Sequence, residues 1–250
     1  MFIPGIVSAT FKERSVDEVI DLALSSGLKA IEWSENHHCN PLDLGLVEEI
    51  GNKTIRKGLE IASYGSYFRL GQNMDFSTSL NAAEKMGAKN IRIWGGTKAS
   101  KEIDGIEWKT LIDEAKKVSL MANEKNIRVS LEWHRNTVTD SNESALRFLH
   151  SVNEPNFGCF WQPTPNQSVE YRAEGIEKAL SWITNIHVYY WDESGRRPLM
   201  EGKEDWKKYM GRMTGNRYLL LEFVKDNSID QFKKDAETLL SWINGGKENG

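Results

Sequence analysis

Ile127-Arg128-Val129-Ser130-Leu131-Glu132 is a short β-rich run set between two helical patterns, one closing near Glu124 and the other spanning about 141–152. The same unit repeats toward the C-terminus. Phe157-Gly158-Cys159-Phe160-Trp161 is followed by a helix near 168–180, and Ile183-Thr184-Asn185-Ile186-His187-Val188-Tyr189 by one over about 203–213. Tyr218-Leu219-Leu220-Leu221-Glu222-Phe223-Val224 precedes a last helix opened by Ser228-Ile229-Asp230-Gln231. It repeats toward the N-terminus as well: Asn90–Trp94, Leu59–Tyr64 with a helix ending near Gly87, Lys29–Trp33 with a helix over about 45–58, and Gly5–Ala9. The helix after that first run opens on a capping box, Ser15-Val16-Asp17-Glu18, and stops at Gly27. Strict strand–helix alternation calls for a parallel sheet. Eight units in about 245 residues leave no room for a second domain and predict a closed (β/α)8 TIM barrel over 1–245, with 246–250 as part of a frayed tail that starts at Asn244. The competing open sheet would carry a Gly-rich phosphate turn after an early strand; Gly95-Gly96 fits neither such pattern.

Composition narrows the partners. The net charge is −4, with 32 basic and 36 acidic residues, which argues against avid binding to nucleic acid. No apolar run reaches the roughly 18 residues that a membrane helix needs. Met1–Gly5 offers no basic region before an apolar run, so no cleaved signal is expected. Cys39 and Cys159 are too few for a disulfide framework, and a reduced, cytoplasmic setting is the default reading. A homo-oligomer is left open.

In barrels of this kind chemistry sits at the carboxyl ends of the strands. Those positions hold Glu32, Glu132, His134, Gln162, His187 and Glu222. Strands five to eight each end on a group able to bind a metal, and one divalent cation held by Glu132, Gln162, His187 and Glu222 would satisfy two otherwise costly buried carboxylates. Hard oxygens with one imidazole suit Mn²⁺, Co²⁺, Mg²⁺ or Zn²⁺ without choosing among them. The plainer alternative is that each Glu pairs with a cation, Arg92 or Lys225 being available, and that His187 is a core histidine. Five of nine tryptophans (Trp33, Trp94, Trp133, Trp161 and Trp191) lie at or just after strand ends, where aromatic faces suit the C–H face of a sugar.

These pieces carry a resemblance: Ala30-Ile31-Glu32-Trp33, Ser63–Gly71, Ile91-Arg92-Ile93-Trp94, Leu131-Glu132-Trp133-His134, Trp161-Gln162-Pro163, His187–Trp191 and Leu221–Val224. The chain resembles the xylose isomerase-like superfamily, in its sugar phosphate isomerase/epimerase branch, over nearly its whole length. The resemblance implies a metal held by Glu132, Gln162, His187 and Glu222, with Gln162 standing where ketose epimerases have Asp. The first shell thereby loses one negative charge, and weaker metal binding is expected. The family's usual His a few residues further on is also absent, since Pro163-Thr164-Pro165 follows.

The expected function is divalent-metal-dependent isomerisation or epimerisation of a small sugar or polyol ketone through an enediolate, with Glu132 and Glu222 as acid and base. Glu32, His38, Tyr67, Arg69, Trp94, His134, Trp161 and Arg196 make up the expected substrate-binding set, Arg69 and Arg196 being candidates for a phosphate. A metal-dependent dehydratase or lyase is the alternative within the superfamily, and a non-catalytic sugar-binding barrel the alternative outside enzymes. A nuclease is disfavoured, because five histidines are too few for its multi-metal cluster.

Overall fold

The structure is a computed structural model and describes residues 1–245. In chain order the strands are β1 (Phe2–Val7), β2 (Ala30–Ser34), β3 (Glu60–Arg69), β4 (Asn90–Trp94), β5 (Arg128–Glu132), β6 (Phe157–Trp161), β7 (Ile183–Val188), a short hairpin of β8 (Tyr190–Asp192) and β9 (Gly195–Arg197), and β10 (Arg217–Leu221). All but the hairpin close into one barrel in the order β1-β10-β7-β6-β5-β4-β3-β2, every pairing parallel. The expected (β/α)8 barrel is therefore what the chain forms.

Among the described residues eight α-helices lie between the strands and after the last: α1 (Val16–Ser25), α2 (Leu44–Arg56), α3 (Phe76–Met86), α4 (Gly105–Asn123), α5 (Asn142–Val152), α6 (Val169–Ala179), α7 (Lys203–Gly211) and α8 (Ile229–Gly245). Local chemistry sets their ends. Ser15 caps α1 in the reciprocal pattern expected, its hydroxyl accepting from the Glu18 amide and the Glu18 carboxylate accepting from the Ser15 amide. Gly87 ends α3 in the left-handed region at φ 83°, where a side chain would be strained.

Three expectations change. The first strand stops at Val7, because Ser8–Phe11 turn into a short 3₁₀ segment whose residues are all buried. The hairpin between β7 and α7 is additional. Asn244 and Gly245, expected in the tail, belong to α8; residues 246–250, the rest of that expectation, lie outside the described residues.

Two packing layers follow from the pleat, in which successive side chains point to opposite faces. The layer between strands and helices holds most of the apolar mass, including Trp33, Phe148, Phe157, Trp161 and Trp206. Burying each such side chain contributes roughly 1.5–3 kcal/mol. The barrel interior has a small apolar plug of Val7, Ala30, Ala62, Phe160 and Leu220. Above that plug the interior turns polar.

Candidate active site

Four strands deliver charged groups to one level inside the barrel: Glu32 from β2, Arg92 from β4, Glu132 from β5 and His187 from β7, each at most 5% exposed. Gln162 and Glu222 are the first residues beyond β6 and β10. The Glu222 amide donates to Val188 O at 3.0 Å, which extends the β10–β7 ladder by one residue and turns the carboxylate inward. Phe223 then takes φ 48°, a left-handed conformation that costs an aromatic residue on the order of 1 kcal/mol. Its amide is held by Thr10 Oγ1 at 3.2 Å.

Arg92 is the hub. Its Nε donates to Glu32 Oε1 at 2.8 Å, and its Nη1 donates to Glu132 Oε2. Glu32 also accepts from Ser63 Oγ at 2.9 Å, and its Oε2 lies 3.3 Å from His187 Nε2. The other imidazole nitrogen, Nδ1, faces Gln162 Oε1 at 3.3 Å, Glu222 Oε2 at 3.4 Å and Glu132 Oε1 at 4.0 Å. Gln162 is oriented by its own amide, which donates to Trp133 O at 2.7 Å and to Glu132 Oε1 at 3.3 Å, aiming its oxygen at the histidine. Beneath, the Phe160 ring meets the imidazole edge-on at 5.3 Å.

The electrostatics follow from this crowding. Burial opposes charge on Glu32, but Arg92 and His187 overrule it and bring the carboxyl down to about 2. Burial likewise opposes charge on His187, and Glu222 and Glu32 reverse that, lifting it to about 9. Glu222 is pushed up to about 7 by burial, opposed by His187 and reinforced by Glu132. With an acceptor at Nε2, His187 carries its first proton there, leaving Nδ1 aimed at two carboxylates and an amide oxygen.

That donor set fits a divalent cation. Glu132, His187 and Glu222 each offer one ligand atom, all within 4.8 Å of one another, and Gln162 Oε1 adjoins them. Glu32 on the far nitrogen of His187 is the carboxylate partner that fixes the tautomer of a ligating imidazole. Without a cation, a second proton on His187 supplies the positive charge.

The floor opens to a cavity of about 300 Å³ at the carboxyl end of the barrel. Glu132, Gln162 and Glu222 line its base, and Tyr67, Arg69, Trp94, His134 and Arg196 its walls. Trp94 packs against Arg69, whose guanidinium carbon is 4.0 Å from the ring centre, and against His134, whose ring centroid is 4.5 Å away with the planes tilted by 60°.

Three members of the expected substrate-binding set do not reach this space. Glu32 is wholly buried and engaged by Arg92, Ser63 and His187, so it supports the floor and does not line the cavity. Trp161 points outward onto Trp206 and Tyr209, at centroid distances of 6.2 and 5.2 Å, as it must if the next residue, Gln162, points inward. His38 packs on Trp33 and places Nε2 3.0 Å from Arg14 O, away from the cavity. Trp33 itself faces α2, its indole N–H donating to Thr54 Oγ1.

Arg92 is the residue that sequence reasoning undervalued, being named there only as a possible counter-ion. The signal was present: Arg92 sits two residues before Trp94, flanked by Ile91 and Ile93, so a guanidinium had to point into the barrel. Lys225, named beside it, is exposed.

Comparison with known proteins extends the geometry. Residues 20–244 match the family described as xylose isomerase-like TIM barrel. The chain is 23% identical to a 3-dehydroshikimate dehydratase of Bacillus anthracis, over 90% of this chain and 91% of that one. Among solved structures, a 3-DHS dehydratase from Bacillus anthracis superposes with a TM-score of 0.79 at 20% identity, covering 96% of this chain and 99% of the other. A D-psicose 3-epimerase solved in the presence of D-fructose gives 0.70 at 15% identity, covering 96% and 97%.

Proposed function

The chain belongs to the xylose isomerase-like TIM barrel family, and from that premise we propose that it is an enzyme moving a proton on a carbon next to a carbonyl group, in a small sugar or sugar-like polyol ketone. The observation that supports this reading is the convergence of Glu132 and Glu222 with His187 at the base of one cavity. A divalent cation bound by Glu132, Gln162, His187 and Glu222 would polarise the substrate carbonyl and so acidify the neighbouring C–H.

This chain's own residues do the rest. One oxygen of Glu132 is held by Arg92, so the carboxylate is fixed in direction. Glu222 faces the same nitrogen of His187 as Glu132, and among the described residues it is the only other carboxylate lining the cavity. One of the pair takes the proton from carbon; the other, on the opposite face, returns one. Return to the same carbon gives an epimer, and return to the neighbouring carbon gives an isomer. Trp94 and Trp191 wall the space.

A second reading is supported by the similarity to a dehydratase over 90% of the chain. The first proton abstraction is the same, but a β-hydroxyl then leaves as water instead of the proton returning. Incubation with Mn²⁺ in D₂O and a panel of ketoses, aldoses and inosose-like polyols tests both. Deuterium entering a carbon next to a carbonyl with the skeleton intact supports isomerisation or epimerisation. Growth of a conjugated carbonyl absorbance supports dehydration. Neither outcome with any substrate would sink the proton-transfer reading.

A further inference from the structure

Two arginines at the mouth share one state. Arg69, the last residue of β3, lies on Trp94 at 4.0 Å. Arg196, in β9, sits against Phe223 at 4.8 Å and Trp191 at 5.5 Å. Neither forms an ion pair among the described residues, whereas Arg14, Arg92, Arg197 and Arg212 each do. Stacking engages the flat face of a guanidinium and leaves its edge of N–H donors available. Arg69 uses that edge for a single 3.4 Å contact with Gly96 O, and Arg196 for one bond of 2.7 Å to Asn227 Oδ1. Partial burial pulls Arg69 below the ordinary guanidinium range, the direction expected of a cation short of counter-charge.

Their placement matters as much as their state. In the ring of strands β3 and β7 are diametrically opposed, and Arg196 is carried by the hairpin that follows β7. The two cations therefore face one cavity from opposite walls, while its carboxylates, Glu132 and Glu222, are confined to the floor. Arg196 also lines an adjoining cleft of about 630 Å³, where Lys12 and Arg14 are matched by Glu13 and Asp230, so the unmatched charge lies on the side of the carboxylate-floored cavity. A positive mouth on a chain of net charge −4 is a local arrangement, not an overflow of basic composition.

We propose that the substrate is anionic: a polyhydroxylated carbonyl compound carrying a carboxylate or a phosphate ester, whose charged end is bound by the free edges of Arg69 and Arg196 while its carbonyl end meets the floor. This rests on the proton-transfer reading for where the carbonyl lies, but the charge selection stands on the arginines alone. A neutral sugar leaves both guanidinium edges without a counter-charge. A carboxylate or phosphate fills them with paired, charge-assisted hydrogen bonds.

Calorimetry with three ketoses tests this on the protein as purified: neutral D-fructose, D-fructose 6-phosphate, and 5-keto-D-gluconate. At least one charged ketose should bind about tenfold or more tighter than D-fructose, and the margin should shrink as salt is raised. Which of the two gains identifies phosphate or carboxylate. In Arg69→Gln and Arg196→Gln the charged-to-neutral affinity ratio should fall about tenfold, and Arg→Lys at each site should recover part of it, a point charge replacing a fork. Circular dichroism checks that the variants fold. Equal affinity for all three ketoses, no binding by any, or a ratio unmoved by both Gln variants overturns the proposal. The D₂O assay keeps the two readings apart. Exchange into neutral ketoses with no charge preference removes the anionic substrate alone, and a charge preference without exchange removes proton transfer alone.

Discussion

Gln162 is built into the floor as an amide. Its N–H group donates to Trp133 O at 2.7 Å, a partner that no carboxylate oxygen can accept from. Asp at this position would lack that donor and fall one methylene short of His187. Gln162→Glu keeps the length but sets an anionic oxygen against a carbonyl and against Glu132. In EDTA this variant should be destabilised by about 1–3 kcal/mol, and Mn²⁺ should raise its Tm by more than it raises that of the parent. Scanning calorimetry with EDTA and with Mn²⁺ decides it; equal metal-induced shifts would mean that Gln162 does not face the cation. Arg92→Met tests the hub. It removes the guanidinium bonded to both Glu32 and Glu132 and leaves protonated His187 as their remaining cationic partner in the layer, so a loss of about 3–5 kcal/mol is expected at neutral pH. Part of that loss should return on acidification, because carboxylates that lose a cation have raised pKa values and their penalty disappears below them. A deficit that stays constant down to pH 5 would point to lost packing instead.

At the scale of the element, β3 shows how a strand is shaped by what lies beside it. A Cβ on Gly65 would come within 2.8 Å of Glu32 Oε1 and 3.0 Å of Arg92 Nη2. Glycine is required there because the ion-pair layer touches the backbone. Gly65→Ala should therefore lower stability by about 1–3 kcal/mol and weaken Mn²⁺ binding with it, read from denaturant melts and a metal titration. An unchanged titration would uncouple β3 from the site. This closeness was not legible in the sequence, where Gly65 is only one residue of Ser63–Gly71. What was legible was periodic: β4 and β6 begin and end where the β-rich runs do, and the other strands shift by a few residues at their ends. The hairpin was missed because Tyr190–Arg197 is polar and turn-rich, like an ordinary loop. Trp161 and Trp33 were misplaced because tryptophans were counted by nearness to strand ends, although each adjoins a residue, Gln162 or Glu32, that the same reading sent inward. His38 had no pattern behind it.

For the whole molecule, the buried charge layer sets the response to pH. His187 and Glu222 hold protons more tightly folded than unfolded, so their contribution is fully present below their unfolded values, near 6.5 and 4.5. It is lost as pH rises through about 7 and then about 9. Glu32 works the other way, its contribution being present above about 4.5 and lost as pH falls toward about 2. In EDTA, Tm should be highest near about pH 4.5, where all three contributions are present, and decline by several degrees toward pH 9, and Mn²⁺ should flatten the decline by replacing the proton on His187. A flat apo profile would mean that the histidine is not charged in the fold. Cys39 and Cys159, both buried, have thiols pushed up by burial, Cys159 to about 12. Neither should react with a disulfide reagent before denaturant is added, and both should react afterwards.

The pleat that sends some indoles inward and others outward also sorts them optically. Trp94 and Trp191 line the cavity, whereas Trp33, Trp133, Trp161 and Trp206 are sealed in the core. Emission from the sealed group should be constant, and any occupant of the cavity changes the surroundings of the other two. The native chain thus carries its own fluorescent reporter of occupancy. Red-edge excitation or acrylamide quenching, repeated across a substrate library, would follow binding without a label and without turnover.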